Sequence, residues 1–412
     1  MITIATAESA LKNIYLESVI HDINTKTNPF LTMIGQNTKT VAEKDAKAFI
    51  RYGGENSVIA STEDGALPLN DAKLAEIIVP LKNLFGTFQV TDKALKASQN
   101  NPGAFASLIG GEMTNLVSTA QNNLNRMIYG NGNPHIGTIS QVDRATRTIH
   151  VPNQYRGNFQ IGMPFQVLDP NNRVIVGSGS AAPTVFIVHS IGESSAVHPN
   201  HFTVVHTPES SLLPNLRFDQ VYIYPAIRPN VEMNGIDSIF MPNEMYNLRK
   251  ADYPEIIPFV QVDTGAELNI INEDVLLEFF YNLEAHAGVQ SADIIMTHPL
   301  VRKALFENLK DNRSNIDVTE FAGGFKGFSF NGIPMYSDMR CRPGTVYALN
   351  SQSFAMQQLC DWTWLEGDDG NILRPISGKP VYNATLVKYA DLICEKPFLQ
   401  GKLTGFSARR WR

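Results

Sequence analysis

The longest regular pattern of apolar positions runs through NNPGAFASLIGGEMTNLVSTAQNNLNRMIYGNGNP, residues 100–134. Phe105, Leu108, Ile109, Met113, Leu116, Val117, Ala120, Leu124, Met127 and Ile128 recur there with the period of an α-helix. Asn101 is a capping residue, Pro102 suits the first helical position, and Gly130, Gly132 and Pro134 cannot continue the run. The pattern predicts a helix from Pro102 to Tyr129, roughly 40 Å long at 1.5 Å per residue. A bend is expected at Gly110–Gly111. So long a helix reads either as the core of an ordinary enzyme or as a strut.

The flanking segments have shorter periods. Residues 7–27 carry Leu11, Ile14, Tyr15, Val19 and Ile23 at helical spacing, with Lys12, Glu17 and Asp22 between them. Asn28–Pro29 stops that helix, and Phe30 to Ile34 follows as a short apolar anchor. Its apolar face packs either on its own domain or on a neighbouring subunit. Residues 47–52 and 76–82 alternate as strands, separated by the polar GGENSVIASTEDGALPLNDAK. That is a long hairpin with an open tip. A lone hairpin is marginal in water, so it serves as a flap or as an arm lying on another subunit. Phe88 and Val90 mark a further strand leading to the long helix.

Beyond Pro134 the texture changes. Residues 139–225 hold short strands broken by Gly, Pro, Asn and Ser, in two similar halves that begin near Ile139 and Ile187. They predict a small β-barrel or sandwich inserted into the main fold. Residues 226–360 return to mixed α and β. A helix spans Asn272 to His286, capped by Asn272, with Glu273 and Asp274 in its first turn and Gly288 at its end. A buried strand runs from Asp293 to Thr297, a helix opens at Pro299 and ends near Asn308, and strands cover 345–349 and 353–359. The tail, 361–406, has hairpin texture around Glu366-Gly-Asp-Asp-Gly-Asn371. The class is α+β.

Composition narrows what this architecture does. The chain has 412 residues, enough for two or three cooperating domains, and only 18% are charged. A net charge of −6 argues against gripping nucleic acid, which needs clustered Lys and Arg. The one basic patch, Ala408 to Arg412, reads as a tail. Cys341, Cys360 and Cys394 form no C-x-x-C, so neither a disulfide framework nor a zinc knuckle is signalled. With no signal-peptide pattern and no run of about 18 apolar residues, the expectation is a soluble protein of a reducing cytoplasm.

Candidate chemistry is thin. The sequence has no G-x-x-x-x-G-K-[ST], so Gly177 to Ala182 is not a phosphate cradle. Gly130, Gly132 and Gly137 end a helix where a dinucleotide loop would open one. His198, His201 and His206 have a superficial metal spacing without carboxylates beside them, and read as structural. Asp361, Glu366, Asp368, Asp369 and Asn371 miss the calcium-loop spacing and read as a solvated turn. Cys341 has no nucleophile motif, and Trp362 and Trp364 read as packing more readily than as a ligand stack. No catalytic, cofactor-binding or metal residue is assigned. The expectation is a non-enzymatic structural protein.

The order of segments, more than any one of them, resembles the major capsid protein family of tailed bacteriophages, the Johnson fold. The arm helix and hairpin precede Asn83-Leu-Phe-Gly-Thr-Phe-Gln-Val-Thr-Asp-Lys-Ala-Leu95, and the long helix ends Asn123-Leu-Asn-Arg-Met-Ile-Tyr-Gly-Asn-Gly132. Ile295-Met-Thr-His-Pro299, Gly323-Gly-Phe-Lys-Gly-Phe-Ser-Phe-Asn-Gly-Ile-Pro334, Val346-Tyr-Ala-Leu-Asn350 and Leu365-Glu-Gly-Asp-Asp-Gly370 follow in register. The resemblance covers nearly all of the chain except about 139–225. It implies an N-arm (1–40), an E-loop hairpin (41–88) and a P-domain with its spine helix (89–138). It further implies an inserted β domain (139–225), an A-domain (226–360) and a return through the P-domain with C-terminal strands (361–412). Such proteins self-assemble as hexamers and pentamers into an icosahedral shell around double-stranded DNA, bound without sequence specificity. Their N-arm and E-loop lie across neighbouring subunits. Portal, scaffolding and decoration proteins are the implied partners, no membrane is involved, and the virion, assembled in the host cytoplasm, is the implied location. One branch crosslinks an E-loop lysine to an asparagine. Lys73 lies in range, but no motif supports assigning it. Two alternatives stand beside the capsid: a same-fold nanocompartment around protein cargo, and a β-rich hydrolase or sugar-binding protein centred on 139–225.

Overall fold

The computed structural model describes residues 11–38, 41–42, 44–52, 73–98, 102–143, 145–168, 185–193, 201–207, 219–223, 231–263, 271–289, 291–308, 318–321 and 325–406. The expectations for residues 7–10, Asn101, the hairpin tip, Gly177 to Ala182, His198 and the basic tail lie outside these residues, as do the side chains of Ile14, Phe105 and Leu108.

The N-terminal helix begins as a π-turn over Leu11–Tyr15 and continues as α1 (Leu16–Lys26), burying Val19 and Ile23. Asn28 stops it, and its side chain accepts a hydrogen bond from Phe30 N (2.9 Å) to start the short anchor helix Pro29–Met33. The hairpin consists of β1 (Asp45–Tyr52) and β2 (Lys73–Pro80), paired from Asp45↔Pro80 to Tyr52↔Lys73. Leu81 alone separates β2 from β3 (Lys82–Thr91), a strand longer than the Phe88–Val90 pattern implied. The long helix is α2 (Pro102–Ile128), 27 residues. Ile109, Met113, Leu116, Leu124 and Ile128 on it are buried, as the apolar period demands.

Residues 135–223 supply β4 (His135–Ile139), β5 (Gln141–Asp143), β6 (Thr148–Pro152), β7 (Pro164–Leu168), β8 (Phe186–Gly192), β9 (His201–Thr207) and β10 (Asp219–Ile223). Their order in the sheet is β4-β10-β7-β8-β9-β6-β5. Only Ser140 separates β4 from β5, and its N–H donates to His150 O (2.9 Å). The first and last strands are thus one stretch of chain, and the sheet closes into a barrel. Ile136, Ile149, Phe165, Phe186, Phe202 and Val221 fill the interior as a core of its own.

The third sheet is built from β11 (Phe259–Val262), β12 (Ile294–Thr297), β13 (Val318–Phe321), β14 (Phe325–Phe330), β15 (Ile333–Ser337), β16 (Val346–Leu349) and β19 (Gly401–Thr404). On it pack α3 (Glu273–Ala287), capped by Asn272 and closed by Gly288 in the left-handed region, and α4 (Pro299–Asn308). Leu276, Phe279, Leu283, Ile295, Val346 and Leu403 form that second core.

Two long strands, β17 (Phe354–Trp364) and β18 (Val381–Cys394), carry the remaining sheet. β3 pairs along β18 from Lys82↔Ala390 to Thr91↔Val381, and Gly35–Asn37 runs parallel to β17. α2 lies on this sheet so closely that a Cβ at Gly86 would sit 2.8 Å from Leu116 Cδ1. α1, the hairpin, α2, both long strands and residues 233–256 share one core containing Leu11, Ile23, Phe30, Ile50, Ile77, Leu116, Trp364 and Leu386.

Candidate assembly surfaces and the joint beneath them

The residues that sequence patterns singled out as chemical are held by packing. His206 is buried against the edge of the Phe186 ring at 5.0 Å, and burial pushes its imidazole down to about 4. Among the described residues no group of three His, Cys, Asp or Glu is placed to hold a metal ion. Trp362 and Trp364 are buried: Trp364 Nε1 donates to Leu11 O (3.2 Å), and Lys388 Nζ lies 5.8 Å from the centre of the Trp362 ring. Burial pushes the Cys341 thiol well above its ordinary value, which disfavours a thiolate. In the acidic turn, Asp369 accepts from Asn371 N and Nδ2, and Glu366 pairs with Lys12 Nζ at 2.8 Å. Lys12 also donates to Gly370 O (2.9 Å), so the turn anchors the N-terminal helix. Asp361 accepts from Asn24 Nδ2 (3.0 Å) and Lys388 Nζ (2.8 Å), a second tie between α1 and the long strands.

Sequence patterns did not point to the polar joint at the C-terminus of α2. Arg126 and Glu232, both buried, face each other through two hydrogen bonds, one of them Arg126 Nη1 to Glu232 Oε2 at 2.8 Å. Glu232 N donates to Gly132 O, and Asp237 N donates to Gly130 O, so residues 232–237 clasp the end of the helix. The clasp needs Gly235: a Cβ there would meet Met127 O at 2.1 Å and Ile128 O at 2.5 Å. Next along, Asn234 N (2.7 Å) and Nδ2 (2.8 Å) donate to the fully buried carboxyl of Asp391 on β18. Burial pushes that carboxyl up to about 7, against the hydrogen bonds and the Lys82 charge that pull it down. Asp237 then accepts from Tyr347 Oη (3.0 Å) and from Lys402, reaching the third sheet. On the other flank, Asn125 joins Asn28 of the N-terminal segment (2.8 Å) to Asp338 after β15 (2.7 Å). One helix end therefore ties three parts of the chain together. A signal existed for only one partner: Arg126 is a charge set among the apolar positions of the helix.

Large apolar side chains also face solvent. On the hairpin Phe49 is 61% exposed and Leu74 58%, on the same face because Phe49 pairs with Glu76 and Leu74 with Arg51. Phe85 on β3 is 59% exposed, Val260 and Val262 point out from β11, and Leu277 and Tyr281 are exposed on α3.

No protein-family model matches the chain, and no curated protein does. Solved structures do. The chain is similar to one in the capsid asymmetric unit of cyanophage A-1(L), with a TM-score of 0.51, 11% identity, and 93% of each chain covered. It also aligns with the capsid of the native GTA particle, with a TM-score of 0.44, 10% identity, and 92% of this chain and 90% of that chain covered. For the holo-SrpI encapsulin complex from Synechococcus elongatus PCC 7942 the values are 0.41, 9%, and 94% and 92%. The long helix laid on a sheet of long strands, the hairpin packed into the same core and the separate α/β layer make up an α+β fold of the kind seen in the cyanophage capsid chain. It is the Johnson fold of tailed-bacteriophage major capsid proteins.

Proposed function

We propose that the chain is the major subunit of an icosahedral shell, assembled from hexamers and pentamers, that encloses double-stranded DNA in a virion. The observation that carries this reading is the alignment with the cyanophage capsid chain across 93% of both chains. The exposed Phe49, Leu74 and Phe85 support it, since a solitary subunit would leave them wet. The net charge of −6 suits a container that holds DNA without clinging to it. In this reading residues 1–40 are the N-arm, 41–88 the E-loop, 89–138 with most of 361–412 the P-domain, and most of 226–360 the A-domain; residues 233–256 and β17 (Phe354–Trp364) pack with the P-domain, and β19 (Gly401–Thr404) returns to the A-domain sheet. The barrel reads as an insertion, because β4 and β10, where the chain enters and leaves it, are paired neighbours; it begins at His135, four residues before the boundary at 139 that the sequence texture predicts. The barrel's packed interior speaks against a ligand-binding or hydrolytic role centred there.

Electron microscopy of the purified, concentrated protein tests the reading. Closed shells are expected; only small particles under every assembly condition would refute it. Shells formed during expression that contain protein cargo and no DNA would move the chain to the nanocompartments of the same fold.

A further inference from the structure

Lys250, Lys388 and Lys402 are largely buried, and their ammonium groups are satisfied in different ways. Lys250 donates to the Ile239 carbonyl, and Lys402 donates to Asp237, which also accepts from the Tyr347 hydroxyl. Lys388 differs, because its carboxylate partner is shared with a side-chain amide. Asp361 Oδ1 lies 2.8 Å from Lys388 Nζ and 3.3 Å from Asn24 Nδ2, and Asp361 Oδ2 lies 3.0 Å from the same amide nitrogen. An ammonium has three protons to donate, and among the described residues Lys388 makes this one hydrogen bond.

The surroundings favour chemistry over a simple ion pair. The Lys388 side chain is only 4% exposed, whereas that of Asp361 is 32% exposed. Asn24 and Lys388 border one small cavity of about 10 Å³, room for a single water, whose other walls include Leu31, Ile34, Leu84 and Leu124. The β17–β18 ladder loses register on both sides of Cys360 and resumes at Thr363↔Val387, so Asp361 sits in a bulge, a place where strands re-aim side chains. Trp362 N donates to Asp361 Oδ1 (2.8 Å) and fixes the carboxylate between its two partners. Burial holds the Lys388 ammonium below its ordinary value, against the pull of the Asp361 charge. Such a lysine is a nucleophile in waiting.

We propose that Lys388 and Asn24 become joined by an isopeptide bond within one chain, with release of ammonia and with Asp361 carrying the protons. Asp361 takes a proton from Lys388 Nζ, and the freed amine attacks Asn24 Cγ. Asp361 then hands that proton to Nδ2, the Cγ–Nδ2 bond breaks, and ammonia leaves. The new amide nitrogen gives up a second proton, which the ammonia takes as it becomes ammonium in water, so no oxidant or reductant is needed. The exposed flank of Asp361 is the way out, while the apolar walls keep bulk water from competing for the carbonyl. One carboxylate holding both amine and amide supplies the orientation that the separate groups lack. Direct condensation of Lys388 with Asp361 would need a second acid, and none among the described residues touches this carboxylate. The bond pins α1 to β18 inside one copy, so it forms in the free subunit and does not depend on the shell reading.

Intact mass spectrometry of the purified chain, aged at mildly alkaline pH, tests the proposal. The wild type should weigh one ammonia less than its sequence, and a digest should contain a branched peptide with the Lys388 side chain attached to residue 24. Asn24→Ala, at a partly exposed helical position, and Lys388→Met should keep the full mass of their sequences. Asp361→Asn should lose ammonia at least about 100-fold more slowly. The wild-type digest decides alone if a variant fails to fold. Full wild-type mass with Lys388 in a linear peptide would overturn the proposal. So would loss of one water with Lys388 attached to residue 361, or a loss of ammonia that persists in Lys388→Met, as a succinimide elsewhere in the chain would give.

Discussion

Replacing Arg126 by Met asks whether the joint at the end of α2 holds the subunit together. Both partners are nearly dry, with side-chain exposures of 7% for Arg126 and 6% for Glu232. Methionine keeps most of the length and apolar volume of the arginine stem, so the change isolates the charge. It leaves the Glu232 carboxylate buried without its cation, which costs about 3–5 kcal/mol. At about 2–4 °C per kcal/mol for a unit of 150–250 residues, the first melting transition of the free subunit should fall by roughly 10 °C. Glu232→Met should cost a similar amount, because it strands a guanidinium whose Nε already has no partner among the described residues. The double variant decides the matter. An apolar pair of similar volume removes both desolvation costs, so its stability should lie within about 1 kcal/mol of the wild type, a coupling of about 3 kcal/mol or more. Calorimetry of the four proteins measures this. Single variants costing under about 1 kcal/mol would place the pair in water and refute the reasoning, as would strictly additive losses.

Asp391, held up at about 7, keeps a proton that the unfolded chain releases above its ordinary 3.8, so the joint should be strongest in acid and weaken as pH rises from about 4 to 7. Asp391→Asn should abolish that slope in the melting temperature; an unchanged slope would assign it to other groups. His206, held down at about 4, has the opposite sign: below its ordinary 6.5 the unfolded chain takes up a proton that the folded chain refuses. Barrel stability should therefore fall between about pH 6.5 and 4, and hydrogen exchange in β8 and β9 should show His206→Phe losing less than the wild type. Gly235→Ala forces a Cβ to 2.1 Å from Met127 O and should leave little soluble protein. Gly111→Ala, with nothing within 4 Å of the new Cβ and a helical backbone, should stabilise α2 by about 0.5–1 kcal/mol, read as a small rise in melting temperature.

The long helix was legible because its causes are local. Proline at its start, glycines at its end and ten apolar positions in period lie within one window, and Pro102–Ile128 follows from them. The same holds for α3, whose Asn272 side chain accepts from Val275 N (2.9 Å) as the capping pattern requires. Strand extents were less legible. β17 continues to Trp364 through Asp361, a residue that local preference assigns to a turn, because Lys388 and Asn24 from distant parts of the chain satisfy its carboxylate. The joint was illegible for a related reason. Arg126 is separated from Glu232 by 106 residues and Asn234 from Asp391 by 157, and no periodicity links such pairs. Their cost of burial is repaid only when the two ends meet, so the chemistry that decides how the parts sit together is absent from any single stretch of sequence. The same distance carries a structural consequence. A joint made of buried charge at the end of a long helix is strong when complete and weak when any one member is missing, whereas the apolar faces around it lose stability gradually as contacts are lost.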